Sequence, residues 1–590
     1  MFFWIEAFLA LLGLLAAWFA TRNPWPSIRR VELLFRRTAE RRVLAVFLVG
    51  ILALAARAAI LPVKPVPYPA INDEFSFLLA ADTFAHHRLA NPAHPMWVHF
   101  ENLHELQQPT YASMYPPAQG VFLALGQGML GHPFLGVGLV VALFCAAMCW
   151  MLQAWTSPST ALLGGLLAVI RFGMFSYWAN SYWGGATAAL GGTLLLGAVP
   201  RIRSAQNPLA AVAMGVGIAL LANSRPYEGM ILSIPVAVWL LHWIFRQARE
   251  APGRVVKRVV LPLGVVLLIG ALSVGYYFWR VTGDPLLMPQ VLERKTYAVA
   301  PYFLWQAPRP EPVYHHPFLH DFYVGTELGF YQSNRSFTSI AALTIVKVFE
   351  VWLFYLGPLL SVPLLVAGCS RAGKMAWSRI DPDTRFLLIV VACFLFGLAL
   401  EVFFFPHYAA PVAPALWALA MRALDQVRTI VWRGKPAGYF LARSVPAFCL
   451  VLLALRGAAA PLHLAVGSDW PPTWCNSRPV PTNRPKVLAA LNRLPGKHLV
   501  LVEYGKTSPS RLQWVYNEAN VDAAHVVWAW DMGPARNREL LNYFGDRQVW
   551  SLDPDREGEE LAPVRRPSSG DEPAARRRGQ PAASTARFLK

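Results

Sequence analysis

The sequence predicts a polytopic α-helical membrane protein with a small extracytoplasmic α/β domain at its C-terminus. Three observations predict it. Of 590 residues, 55% are hydrophobic and only 15% are charged, where a soluble chain carries roughly a quarter charged. Apolar runs of about 20 residues, the length that crosses a bilayer as a helix, recur up to residue 462. Beyond that point the pattern changes to short runs rich in β-branched and aromatic residues, bounded by turn residues.

The spans are expected near 2–20, 43–62, 134–153, 158–178, 185–200, 208–223, 229–246, 258–280, 339–367, 386–405, 408–424 and 444–462, a total of about 12–13 transmembrane helices in the region 1–462. The run 118–131 is too short to cross and reads as a surface or re-entrant piece. No Lys or Arg precedes the first run and no small-residue cleavage site follows it, so residues 1–20 do not read as a signal peptide. Arg22, Arg29, Arg30, Arg36, Arg37, Arg41 and Arg42 come directly after it and mark a cytoplasmic connector. The basic connectors 246–258, 371–385 and 428–435 fall on the same side. The first long loop, 63–117, carries only Lys64 and Arg88 and falls outside, as do loop 281–338 and the C-terminus.

In 463–553, the runs KHLVLVEYG, AHVVWAWDM and RQVWSLDP read as strands, and PARNRELLNYF as a helix, with the compact part at 485–553. Residues 554–590, rich in Pro, Arg, Glu and Ser, read as a disordered basic tail. The formal charge of +19 is explained by helix orientation and this tail. No basic stripe interleaved with aromatics accompanies it, which excludes nucleic acid as a partner. The six Cys include no Cys-x-x-Cys pair, so neither a disulfide framework nor a zinc site is indicated.

Chemistry concentrates in the first external loop. Asp73 and Glu74 stand just outside the second span, and adjacent carboxylates repel, so one of them should hold its proton more tightly. A carboxylate there can take a proton from a hydroxyl. The alternative is structural: Asn72 or Asp73 caps the helix that follows. That helix has Phe75, Leu78, Leu79, Ala81 and Phe84 on one face and is expected to lie flat on the outer membrane surface. His86, His87, His94, His99 and His104 follow, with Glu101 and Glu105. His99 and Glu101, or Glu101 and His104, are candidate ligands for a divalent metal shared with Asp73, although no spacing repeats a known zinc pattern.

Asp73-Glu74 after an early span, a surface helix, then Tyr115-Pro116-Pro117 and a run of further spans resembles the GT-C-type membrane glycosyltransferases. This group includes protein O-mannosyltransferases and bacterial aminoarabinose-type lipid A transferases. MYPPAQG, FSYWANSYWGG, NSRPYEG, FFFPHYAAP and WVYNEANVDAAHVVWAWDM look like a bacterial branch of the group. The resemblance extends over nearly the whole chain. It departs in an extra N-terminal span and in a C-terminal domain that not all branches share. It implies a GT-C-like fold, a polyprenyl-phosphate sugar donor, an external active site, and an acid in the first loop as general base or metal-linked acid. Carried over, that acid is Asp73, with Glu74 beside it.

A lipid-phosphate leaving group gains charge as its glycosidic bond breaks, so a cation is needed nearby. Arg225 in NSRPYEG, with Tyr227 beside it, is the first candidate, because a guanidinium fork matches phosphate oxygens. Arg57 and Arg171 lie within spans, where an acidic partner or a lipid phosphate must accompany them. His407 and Tyr408 in PHYAAP read either as phosphate or sugar contacts or as a Pro-bounded turn. Tyr115 belongs to the turn after the acids. Trp183 belongs to an outer turn that reads as a sugar floor or as part of an interfacial aromatic belt.

The function expected is that of a hexosyl- or pentosyltransferase in the bacterial inner membrane. It moves a sugar from a polyprenyl-phosphate donor to an extracytoplasmic glycan, lipid or protein, with inversion. The rivals are a flippase for lipid-linked saccharides, which calls for ionisable groups at mid-membrane in paired broken helices, and a non-catalytic membrane scaffold.

Overall fold

The computed structural model describes residues 1–19, 26–371, 380–432, 434–466, 473–475, 482–504, 513–554 and 561–564. Eight helices among the described residues are long and apolar enough to cross a membrane. The protein is a multi-pass membrane protein with a small sheet domain near its C-terminus.

The chain begins with α1 (Phe2–Phe19), α2 (Pro26–Glu40) and α3 (Arg42–Ala59), so the basic connector expected between the first two spans is itself largely helical. The surface helix is α4 (Asn72–Ala85). The first loop then folds as β1 (Asn91–Pro92), β2 (Glu105–Leu106) and β3 (Thr110–Ser113), a small antiparallel sheet in the order β1-β3-β2. Next come α5 (Ala118–Leu130), α6 (Pro133–Leu152), α7 (Pro158–Phe172), α8 (Ala186–Ala205), α9 (Pro208–Ala222) and α10 (Pro226–Ala248). The helix at 252–282 is continuous, formed of α11 (Pro252–Val255), a π-turn and α12 (Leu261–Thr282). Loop 281–338 contains α13 (Pro289–Tyr297), α14 (Pro317–His320) and α15 (Gly329–Ser333). It is followed by α16 (Phe337–Tyr355), α17 (Gly357–Arg371), α18 (Pro382–Ala399), α19 (Ala413–Val427) and α20 (Ala437–Gly457).

The single span expected at 339–367 is two helices. Gly357 takes φ +61, a left-handed conformation open to glycine, and a Cβ there would collide with Arg171 and Glu6. Pro358 follows in the first turn of α17. Lys347 Nζ donates to the carbonyl of Leu398 at 3.2 Å, and Tyr355 Oη to that of Pro406 at 2.7 Å, so the middle of α16 meets the end of α18 and its own end meets the 3-10 turn Pro406–Val412 that precedes α19.

The C-terminal domain has α21 (Arg484–Leu491), β4 (His498–Val502), β5 (Val526–Trp530), α22 (Pro534–Tyr543), β6 (Gln548–Leu552) and β7 (Ala562–Pro563), in the sheet order β5-β4-β6-β7. β4 pairs in parallel with both β5 and β6, and β7 joins antiparallel. β7 lies in the stretch expected to be disordered; residues 555–560 and 565–590 of that stretch fall outside the described residues. Alternate residues of the parallel strands are buried on both faces, as parallel sheets require. Val500, Val502, Trp528 and Trp530 pack with Leu103, Tyr297, Phe318 and Tyr323 of the two long loops. Leu499, Leu501, Val527 and Val549 pack with Leu79, Phe100 and Tyr111 of the first loop and Leu540 and Phe544 of the domain.

This packing corrects the reading of α4 as a helix flat on the membrane. Its Phe75 ring lies 4.6 Å from Tyr516, and Leu79 enters the C-terminal core, while Leu78 and Ala81 join the membrane-helix core. The helix is held between two apolar bodies, and so its first turn is fixed from both sides.

Candidate functional site

Glu74 begins the site by anchoring it. Its Oε2 accepts from the backbone N–H of Ala70 at 3.0 Å and of Ile71 at 3.5 Å, and its Oε1 from that of Tyr182 at 3.2 Å. The acid thus caps α4 from its third position, where Asn72 or Asp73 had been expected to cap. Burial pushes its carboxyl up to about 7, against the pull of those three N–H groups. Glu74 is consumed by structure, tying α4 to the turn that carries Trp183.

Asp73, its neighbour, remains open to a quarter of its side-chain surface, at 27%. Its Oδ1 accepts a short hydrogen bond from the Tyr115 hydroxyl, and His104 Nδ1 lies 3.8 Å from the same oxygen and 3.3 Å from the hydroxyl. Burial, and then the Asp73 charge, push the Tyr115 phenol well up, which keeps it protonated as a donor. The Phe77 ring stacks on Tyr115 at 4.4 Å.

Arg225 borders the same site. The Ala118 N–H at the start of α5 donates to the Asn223 carbonyl at 2.9 Å, which sets the Tyr115-Pro116-Pro117 turn against the end of α9 and hence against Arg225. The guanidinium sits 4.0 Å over the Tyr408 ring and 3.6 Å from Glu228. Tyr115, Tyr302 and Tyr408 lie within electrostatic reach of one another, and the Arg225 charge reaches both Tyr115 and Tyr408. Behind them, His407 Nδ1 meets the Tyr177 hydroxyl at 3.1 Å, and its ring lies 4.8 Å from Trp183. The fold therefore gathers Asp73, Tyr115, Arg225, Tyr408, His407 and Trp183 in one neighbourhood: an acid, a cation and an aromatic wall.

Other expected residues lie elsewhere. Arg171 is buried in an ion pair with Glu6 at 3.1 Å and donates to the carbonyls of Leu353 and Phe354 at 3.1 and 3.3 Å, so the acidic partner it needed is internal and its fork is filled. Arg57 is likewise spent on carbonyls, of Ala179 and Lys64 at 3.1 Å each. Tyr227 donates to the Gly397 carbonyl at 2.9 Å, facing α18 rather than Asp73. Glu101 accepts from Tyr297 Oη at 2.8 Å and contacts His315 Nδ1 at 2.7 Å, while His99 Nδ1 faces the Trp530 carbonyl at 3.3 Å. These two residues join the loops to the C-terminal domain and do not meet Asp73. Among the described residues no group of three His, Cys, Asp or Glu converges as a metal site.

Sequence reasoning missed Tyr177, Glu228 and Tyr302 at the site and gave His104 only a metal role. Glu228 was visible three residues after Arg225, the spacing of a helical pair. Nothing local to Tyr302 or His104 distinguishes them, since their position depends on contacts far along the chain.

No family model and no curated protein matches the sequence. Among solved structures, the chain is similar to ArnT from Cupriavidus metallidurans in the apo state, with 14% identity, a TM-score of 0.43, and 89% of this chain and 93% of that one covered. The same ArnT bound to undecaprenyl phosphate gives the same identity and TM-score, covering 87% and 92%. The apo oligosaccharyltransferase of Archaeoglobus fulgidus gives 11% identity and a TM-score of 0.41 over 78% of this chain, which spans about 62% of that protein's length. These proteins are GT-C-type membrane glycosyltransferases, the type that the sequence motifs resemble.

Proposed function

We propose that the protein is a membrane glycosyltransferase that moves a hexosyl or pentosyl unit from a polyprenyl-phosphate donor to a hydroxyl of an extracytoplasmic acceptor, with inversion. The observation that carries this reading is the placement, around the two rings Tyr115 and Tyr408, of a partly open carboxylate, Asp73, which accepts a hydrogen bond from Tyr115, and a guanidinium, Arg225, which lies over Tyr408. Asp73 takes the proton of the acceptor hydroxyl as its oxygen attacks the anomeric carbon. The bond from that carbon to the phosphate oxygen breaks, and the electron pair leaves with the lipid phosphate, which Arg225 stabilises. Tyr408 and Trp183 offer ring faces and edges to the sugar, and the buried His407 backs Trp183 from behind. The basic connectors orient this site toward the outside of a bacterial inner membrane.

The test uses the full chain in liposomes with a polyprenyl-phosphate donor bearing a radiolabelled sugar and a mixture of envelope lipids and glycans as acceptors. Label should move to an acceptor in wild type. Arg225→Ala should lower transfer roughly 100- to 1000-fold. Transfer undiminished in that variant would contradict the role of Arg225, and no transfer from any donor would contradict the reading as a whole.

A further inference from the structure

His104 lies against Asp73 and Tyr115 without a task in the reaction just described. Its backbone has φ +65, in the left-handed region that non-glycine residues seldom occupy. Two donors hold it there: Ser76 Oγ and the Met114 N–H reach its carbonyl at 2.6 and 3.1 Å. Ser76 Oγ is braced in turn by Ser113 Oγ at 2.8 Å. The imidazole is thereby set edge-on to Tyr115 and Phe322, at 5.7 and 5.9 Å between ring centroids, and its side chain is only 14% exposed. The ionisable groups around it are Asp73 on α4, Tyr115 after β3, and Glu327 of the second loop, which is neutralised by Arg294 at 2.6 Å.

Counting protons gives the ring a direction. A phenol has one hydrogen, and Tyr115 donates it to Asp73. At the 3.3 Å contact with His104 the Tyr115 oxygen can then only accept, so Nδ1 must carry the hydrogen. We propose that His104 is a positioning residue for the transfer reaction. Its Nδ1–H donates to the Tyr115 oxygen, commits the phenolic proton to Asp73 Oδ1, and leaves Oδ2 to meet the acceptor hydroxyl. The role rests on the glycosyltransferase reading above. Without His104 the Tyr115 hydroxyl is free to rotate, and the carboxylate loses the contact that fixes its plane.

Two measurements on the full chain in lipid test this. The first is a double-mutant cycle on sugar transfer. His104→Leu should lower kcat roughly tenfold, the value of one orienting hydrogen bond, with the donor KM within about twofold. His104→Gln, which keeps an N–H within reach of Tyr115, should recover most of the loss. In a Tyr115→Phe background, His104→Leu should cost nothing further, because the oxygen it acts through is gone. Additive losses, a change confined to KM, or transfer unchanged in His104→Leu would each overturn the role of His104 alone. A wild type that transfers no sugar would overturn the glycosyltransferase reading and this role together.

The second measurement is independent of activity. Nitrogen-15 spectra of histidine-labelled wild type, with His104 assigned by its loss in His104→Gln, should show a ring protonated at Nδ1. A ring whose single proton sits on Nε2 would overturn the proposal.

Discussion

Asp73 and Glu74 are adjacent and chemically alike, but their surroundings are opposite. Glu74 is enclosed and its oxygens are taken by backbone N–H groups, whereas Asp73 faces Tyr115 and open space. Glu74→Gln leaves one acceptor oxygen for N–H groups that used two, so it should destabilise the fold by about 1–3 kcal/mol. Thermal unfolding followed by tryptophan fluorescence checks this, while transfer per folded molecule should stay within a few-fold of wild type. Arg225→Lys keeps a positive charge but loses the planar fork, so the donor KM should rise more than kcat falls; steady-state kinetics with varied donor separates the two. The sequence made Asp73, Arg225, Tyr115, Tyr408, His407 and Trp183 visible because each stands in a short motif next to a span end. Neither the division of labour between the two acids nor the internal pairing of Arg171 could be read there. Both depend on residues more than 100 positions away, Tyr182 for Glu74 and Glu6 for Arg171.

Most membrane helices were legible, since an apolar run of the right length leaves the backbone few alternatives in a bilayer. The break between α16 and α17 was not, because Gly357-Pro358 sits inside an uncharged apolar stretch, 351–367. It is tied to the Arg171–Glu6 pair that crowds Gly357. Arg171→Ala would strand a buried carboxylate that keeps only neutral donors, Trp474 Nε1 at 3.1 Å and the Leu359 N–H at 3.4 Å, so a loss of about 3–5 kcal/mol is expected, read as a lowered midpoint of thermal unfolding in detergent. Helix α4 was legible as a helix but not in its surroundings: a sequence face can be seen to be apolar without revealing whether lipid or a protein domain covers it.

The two long loops, 63–117 and 281–338, and the C-terminal sheet pack into one body that holds the first turn of α4 against the membrane helices. Its seam includes Glu105, fully buried beside Gln513 Nε2 at 3.3 Å and pushed by burial up to about 8. An ordinary glutamate carboxyl lies near 4.5, so folding favours the protonated form. The stabilisation is complete below about pH 4.5 and is lost as pH rises through about 8, a change on the order of a few kcal/mol. Unfolding midpoints measured from pH 5 to pH 9 should therefore fall with pH, and Glu105→Gln should flatten that dependence. All of this positioning converges on one carboxylate, and the most direct measurement is sugar transfer from a polyprenyl-phosphate donor by wild type, Asp73→Asn and Glu74→Gln, each at equal inserted protein. The account predicts that Asp73→Asn loses transfer by roughly 100- to 10,000-fold while Glu74→Gln, corrected for folding, retains it. Full activity in Asp73→Asn, or loss confined to Glu74→Gln, would contradict it.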